Sequence, residues 1–115
     1  MHPLVQSLIP ICAAAAVKYA QEPWKGRLSA EEKDILRAAQ RKGAILFMLP
    51  EGLPGGFIIV DGVAFQKNDD PSYDARYIDA LRLLCEKGMI DPAQENSFRL
   101  RAAGWDQVKK LRRSD

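Results

Sequence analysis

Apolar residues along this chain follow two periods, and the places where the period changes outline the elements. Residues 3–21 have helical spacing, with Leu4, Leu8, Ile11 and Ala15 on one face and Cys12 and Tyr19 near it. Pro3 suits a first helical turn, whereas Pro10 predicts a kink or a break. The segment "QEPWKGR" is a linker punctuated by Pro23 and Gly26, with Trp24 expected to plug the core. A second helix is expected over 29–42. Ser29 and Glu32 form a capping box, Ile35, Leu36, Ala38 and Ala39 make the apolar stripe, and Arg41 and Lys42 occupy the last turn before a Gly43 cap.

The middle of the chain changes period. "AILFML" (44–49) is too short for a full helix and rich in strand formers, and "PEGLPGG" (50–56) is a loop. "FIIVDGVAF" (57–65) has two apolar arms around Asp61-Gly62, a pair suited to a tight hairpin turn with one face to cover. Helical spacing returns after Asp70 as N-cap and Pro71 as first helical residue. Tyr73, Tyr77, Ala80, Leu81, Leu84 and Cys85 form its buried stripe, and Gly88 ends it. "MI" is a very short strand, "DPAQENS" a polar turn and "FRL" the returning strand. A last helix from about residue 102 carries Trp105, Val108 and Leu111 on one side. The expectation is an α+β fold in which a small antiparallel sheet is packed by three to four helices. There is no internal repeat or low-complexity segment.

The stretch "ALRLLCEKGMIDPAQENSFRLRAAGWDQVKKL" resembles the end of bacterial winged-helix domains. Leu81, Leu84, Gly88 and Ile90 match that family's helix and first wing strand. Phe98 and Leu100 match the second wing strand, and Gly104 and Trp105 match the glycine and bulky residue that follow. "LSAEEKDILRAA" (28–39) is similar to the family's first helix, so the resemblance spans 28–112. It implies an N-terminal helix and linker (1–27) ahead of a winged-helix-like domain (28–113), and a bacterial or phage setting. Two departures stand out: Arg101 replaces the family's N-cap threonine, and "AILFMLPEGLPGGFIIVDGVAF" replaces its short second helix and turn.

At 115 residues, with 47% hydrophobic and 28% charged residues, the composition is that of one globular domain. A net charge of +2 is too mild to imply a nucleic-acid partner by itself. Cys12 and Cys85 lie in apolar surroundings, which suggests buried thiols and a cytoplasmic location. The N-terminal run "LVQSLIPICAAAAV" is too short to span a bilayer and lacks the basic start of an export signal.

Candidate chemistry is sparse. His2 stands alone, no serine has a histidine beside it in sequence, and Cys85 falls on a buried stripe. No Cys/His set with zinc spacing occurs. "NDD" (68–70) fits a helix start better than a metal loop, and "GLPGG" (52–56) lacks the lysine and helix of a phosphate loop. The expectation is therefore a non-enzyme with no catalytic residue, cofactor or metal.

Two surfaces remain for partners. From Arg99 to Arg113 there are six bases and one acid. Lys109, Lys110, Arg112 and Arg113 could contact phosphates, although basic residues also suit a solvated helix C-terminus. The helix at 71–87 is a poor reader of DNA. Its surroundings from Lys67 to Lys87 hold four bases and five acids, and Asp74, Arg76, Asp79, Arg82 and Glu86 are expected on its solvent side. The N-terminal helix offers Leu4, Leu8, Ile11 and Ala15 either to the helices at 29–42 and 102–112 or to a homodimer. A non-catalytic interaction or regulatory module, with a protein partner or self-association, is the leading expectation. A DNA-binding regulator is the alternative.

Overall fold

The computed structural model describes residues 3–50 and 55–114. The elements run α1 (Pro3–Lys18), α2 (Ala30–Ala38), β1 (Ala44–Met48), β2 (Phe57–Val60), β3 (Val63–Phe65), α3 (Pro71–Glu86), β4 (Ile90–Pro92), β5 (Ser97–Leu100) and α4 (Ala102–Ser114). The fold is α+β, with one five-stranded sheet in the order β3-β2-β1-β5-β4. Every strand pair is antiparallel. His2 and most of the loop at 50–56 lie outside the described residues.

Local chemistry sets most boundaries. Ser29 Oγ accepts from the Glu32 N–H (3.2 Å), and the Glu32 carboxylate accepts from the Ser29 N–H (3.0 Å), closing the expected capping box of α2. Asp70 caps α3 by accepting from the Tyr73 N–H, with Pro71 in its first turn. Asp61 and Gly62 both take positive φ (47° and 87°), as the two-residue turn between β2 and β3 requires.

Two expectations need correction, and a third, a kink or a break at Pro10, is narrowed. α2 ends at Ala38, so Arg41 and Lys42 stand in the turn beyond it and not in its last helical turn. Their N–H groups donate to the Asp61 carboxylate instead. α1 runs through Pro10 without a break. The carbonyl deprived of a donor belongs to Gln6, and Gln6 and Pro10 are both exposed, so water can satisfy it. Asp74 is buried, not on the solvent side of α3, and accepts from the Lys67 N–H at 2.8 Å.

The core lies between the sheet and the helices. Ile45 and Phe47 of β1, Ile58 and Val60 of β2, Phe65 of β3, and Phe98 and Leu100 of β5 are buried on one face. α3 lies against β2 and β3 and packs on both α1 and α2, while α4 packs on α2 and β5. Phe65 stacks on Tyr77 with ring centroids 4.5 Å apart, joining the hairpin to α3. On α4, Val108 and Leu111 are buried and Trp105 is half-buried, as its spacing predicts. Trp105 lies against Gly43, whose positive φ (66°) and closeness to the ring leave no room for a β-carbon: one would come within 2.7 Å of the indole.

Cys12 of α1 and Cys85 of α3 are free buried thiols that meet in the core. The hydrogen bond with Cys12, together with burial, pushes the Cys85 thiol far above its ordinary range, so it behaves as a small apolar residue.

Candidate interaction surfaces

The outer face of the sheet is built from the residues of β1 that alternate with its core positions. Ala44, Leu46 and Met48 point away from the helices, while Ile45 and Phe47 point toward them. Leu46 is 45% exposed and Met48 39% exposed at the centre of a five-stranded sheet. The pairing registers extend this row sideways. Leu46 is opposite Ile59, which is opposite Ala64 on the β3 edge, and Leu46 is opposite Ser97 on the other side. Met48 is opposite Phe57, which is itself buried (9% exposed), so the open part of the band centres on Leu46, Ile59 and Ala64. Val63 (49% exposed) pairs with the core-side Val60 and so belongs to the opposite face of the hairpin. The result is an apolar band across the sheet with no helix of the described residues over it.

The two ends of this face carry opposite charge. At the Met48 end, Leu46, Phe47 and Met48 border a shallow groove of about 640 Å³ with Gln94, Glu95, Asn96 and Ser97 of the β4–β5 turn. That turn is held by Ser97, whose Oγ accepts from the Gln94 N–H and whose backbone O accepts from the Ala93 N–H. Glu95 takes a positive φ of 43° at its tip and is exposed. Asn96 Oδ1 is enclosed without a hydrogen-bond partner among the described residues. At the Ala44 end, Arg99 is opposite Ala44 and stands beside Asp91 on β4. Exposed Arg41 and Lys42 line a hollow there with Ala44, Asp61 and Gly62.

That hollow has a built floor. One oxygen of the Asp61 carboxylate accepts from the N–H groups of Arg41 (3.1 Å), Lys42 (2.9 Å) and Gly43 (3.2 Å), and the other from Ala44 (3.0 Å). Burial tends to raise the Asp61 pKa, but these four donors outweigh it and hold the carboxyl below its ordinary range. Asp61 therefore ties the hairpin turn to the segment joining α2 and β1.

The second surface is the basic end of α4. Lys109, Lys110, Arg112 and Arg113 are all exposed, and Lys109, Arg112 and Arg113 surround a shallow hollow of about 210 Å³. The structure thus gathers Lys109, Arg112 and Arg113 around one hollow, with Lys110 exposed on the same helix end. The nearby Arg101 is engaged elsewhere, donating to Asp91 at 3.0 Å.

The third expected surface is divided by the fold. Leu8 (1% exposed) and Ala15 (4%) are buried within the chain itself, with Val5 and Cys12 between and beside them. Leu4 and Ile11 are half-buried against the same core. α1 packs with this face chiefly on α3 and β4, and not on the expected helices at 29–42 and 102–112.

On the helical side, charge is consumed internally. Glu32, 1% exposed, takes Lys87 Nζ at 2.6 Å, and the same ammonium lies 4.5 Å from the centre of the Trp24 ring. Trp24, Ser29, Glu32 and Lys87 thereby pin the linker and α2 to the end of α3. Tyr77 Oη donates to Asp34 at 2.7 Å, and burial together with that bond raises the phenol's pKa. Among the described residues, no group of three or more His, Cys, Asp and Glu side chains is placed to hold a metal ion. No helix among them is long and apolar enough to cross a membrane.

Sequence reasoning missed the outer sheet face. A signal for it exists in "AILFM" and "FIIV", which are apolar at every position, the pattern of strands with both faces covered. Compared with protein-family models, curated proteins and solved structures, the chain shows no significant match.

Proposed function

We propose that this protein is a non-catalytic interaction or regulatory module of a bacterial or phage system that works by binding a protein through the outer face of its sheet. One observation carries the reading: the central strand is apolar on both faces, and helices cover only one of them. Leu46 and Met48 would be unusual choices for a strand that meets only water. The bacterial or phage setting rests on the winged-helix resemblance. The β4–β5 hairpin, which follows α3 and pairs with β1, supports that resemblance as a candidate wing.

A second reading, a DNA-binding regulator, is favoured by the four bases on α4. Lys109, Lys110, Arg112 and Arg113 would hold phosphates, giving binding that is strongly salt-dependent and weakly sequence-dependent. α3 suits DNA poorly, because Asp34, Glu31 and Glu32 of α2 engage Tyr77, Arg76 and Lys87 along it.

A photo-crosslinking side chain placed at position 46 or at position 109, in cells that make the protein, separates the two readings. Protein adducts at 46 are expected, with little nucleic acid at 109. Nucleic-acid adducts at 109 and none to protein at 46 would reverse the order.

A further inference from the structure

The outer face has a polarity that its apolar band alone does not explain. Along β1 the surface runs from basic at Ala44, where Arg99, Arg41 and Lys42 are exposed, to acidic at Met48, where Glu95 borders the groove. The uncharged band of Leu46, Ile59 and Ala64 lies between. On the basic side, Asp61 is engaged by four N–H groups and Asp91 by Arg101. The positive charge at that end is therefore only partly offset.

A surface that is apolar in the middle, positive at one end and negative at the other is complementary to itself after a half-turn. The two-fold axis must lie between two facing sheets and run across the strands. The Ala44 end of one copy then covers the Met48 end of the other. Two sheets packed this way interdigitate their facing side chains at about 10 Å, with strand directions close to aligned. Symmetry makes each charged contact twice, because Glu95 of each copy meets Arg99 of its partner.

From this geometry we infer that the occupant of the outer face is a second copy of this chain, packed sheet to sheet with β1 antiparallel to its partner. The inference rests on the protein-binding reading above and names its partner. It places self-association on β1, β2 and β5 and not on α1, where Leu8 and Ala15 are already buried in the chain's own core.

The test is light scattering over a range of concentrations with the full chain, wild type and variants. The wild type is expected to move from monomer to dimer mass as concentration rises, and to shift back toward monomer with added salt. Leu46→Glu places a charge in the middle of the interface and is expected to weaken association by more than about tenfold. Its circular dichroism should match the wild type, since position 46 does not face the helices.

Charge exchange then tests the orientation. Glu95→Arg alone and Arg99→Glu alone should each be more monomeric than wild type. An equimolar mixture of the two should form a mixed dimer, because one copy carries two bases and the other two acids at the matched ends. A wild-type dimer unaffected by Leu46→Glu would overturn the inference. Failure of the mixture to associate would overturn the antiparallel packing. A monomer at every concentration would overturn self-association. If position 46 then still crosslinks to another protein, the broader protein-binding reading survives, and if it does not, that reading falls too.

Discussion

The two faces of the sheet are made from neighbouring residues of the same strand and have opposite fates. Ile45 and Phe47 are sealed under α3 and the other helices, while Leu46 and Met48 stand 45% and 39% exposed. Hydrophobicity does not distinguish them, since "AILFM" is apolar throughout. What distinguishes them is the supply of helices, which among the described residues pack on one side. A strand with core-like chemistry on both faces and cover on one is incomplete as a folding unit, which is why the uncovered side is the better candidate for contact.

The sharpest way to break this comparison is to truncate one residue from each face. Phe47→Ala should lose about 3–5 kcal/mol of stability in urea unfolding, because a large buried ring leaves a cavity among close-packed neighbours. Next in size is the buried ion pair on the helical side. Lys87→Ala strands the Glu32 carboxylate with only the Ser29 N–H as partner and should cost about 2–3 kcal/mol, read in the same assay. Glu32→Gln should cost less than Lys87→Ala. The opposite order would mean that the carboxylate is solvated.

A smaller effect is expected where the open face meets its hairpin. Asp61→Asn keeps a residue that tolerates the positive φ and removes the charge, so it should cost about 1 kcal/mol, discounted for partial exposure. Its pH dependence has a definite sign. A carboxyl whose pKa is lower in the folded state stabilises fully above its unfolded value, about 3.9. That contribution fades as pH falls toward and through the depressed folded value. The wild type should therefore lose stability over this acid range more steeply than Asp61→Asn, as thermal melts at successive pH values would show.

The smallest effect is expected at Leu46. Leu46→Ala should cost the dilute protein no more than about 1 kcal/mol, since only partly covered cross-strand contacts with Ile59 and Ser97 are lost. A cost approaching that of Phe47→Ala, at a concentration where the protein is monomeric, would show that the outer face is covered within the chain.

Much of the architecture was legible locally. The Ser29–Glu32 capping box, the Asp70-Pro71 start of α3, the Asp61-Gly62 turn and the stripe from Tyr77 to Cys85 all rest on interactions within a few residues of one another. Sequence spacing alone specifies them. The bases of α4 gather on one exposed helix end for the same reason. The early end of α2, by contrast, involves groups far apart in the chain. α2 stops early because Asp61, about twenty residues on, takes the N–H groups of Arg41 and Lys42.

On α1, both Leu4–Leu8–Ile11–Ala15 and Val5–Leu8–Cys12–Ala15 have helical spacing. Only docking on α3 and β4 decides that Val5 and Cys12 go inward. The sequence by itself determined which residues start helices, where the hairpin turns and how apolar each strand is, because those depend on neighbours along the backbone. The tertiary structure alone decided that Cys12 meets Cys85, that Lys87 neutralises Glu32, and that every helix packs on one side of the sheet. Those outcomes depend on which surfaces meet in space, and a pattern of apolar positions shows that a face needs covering without showing what covers it.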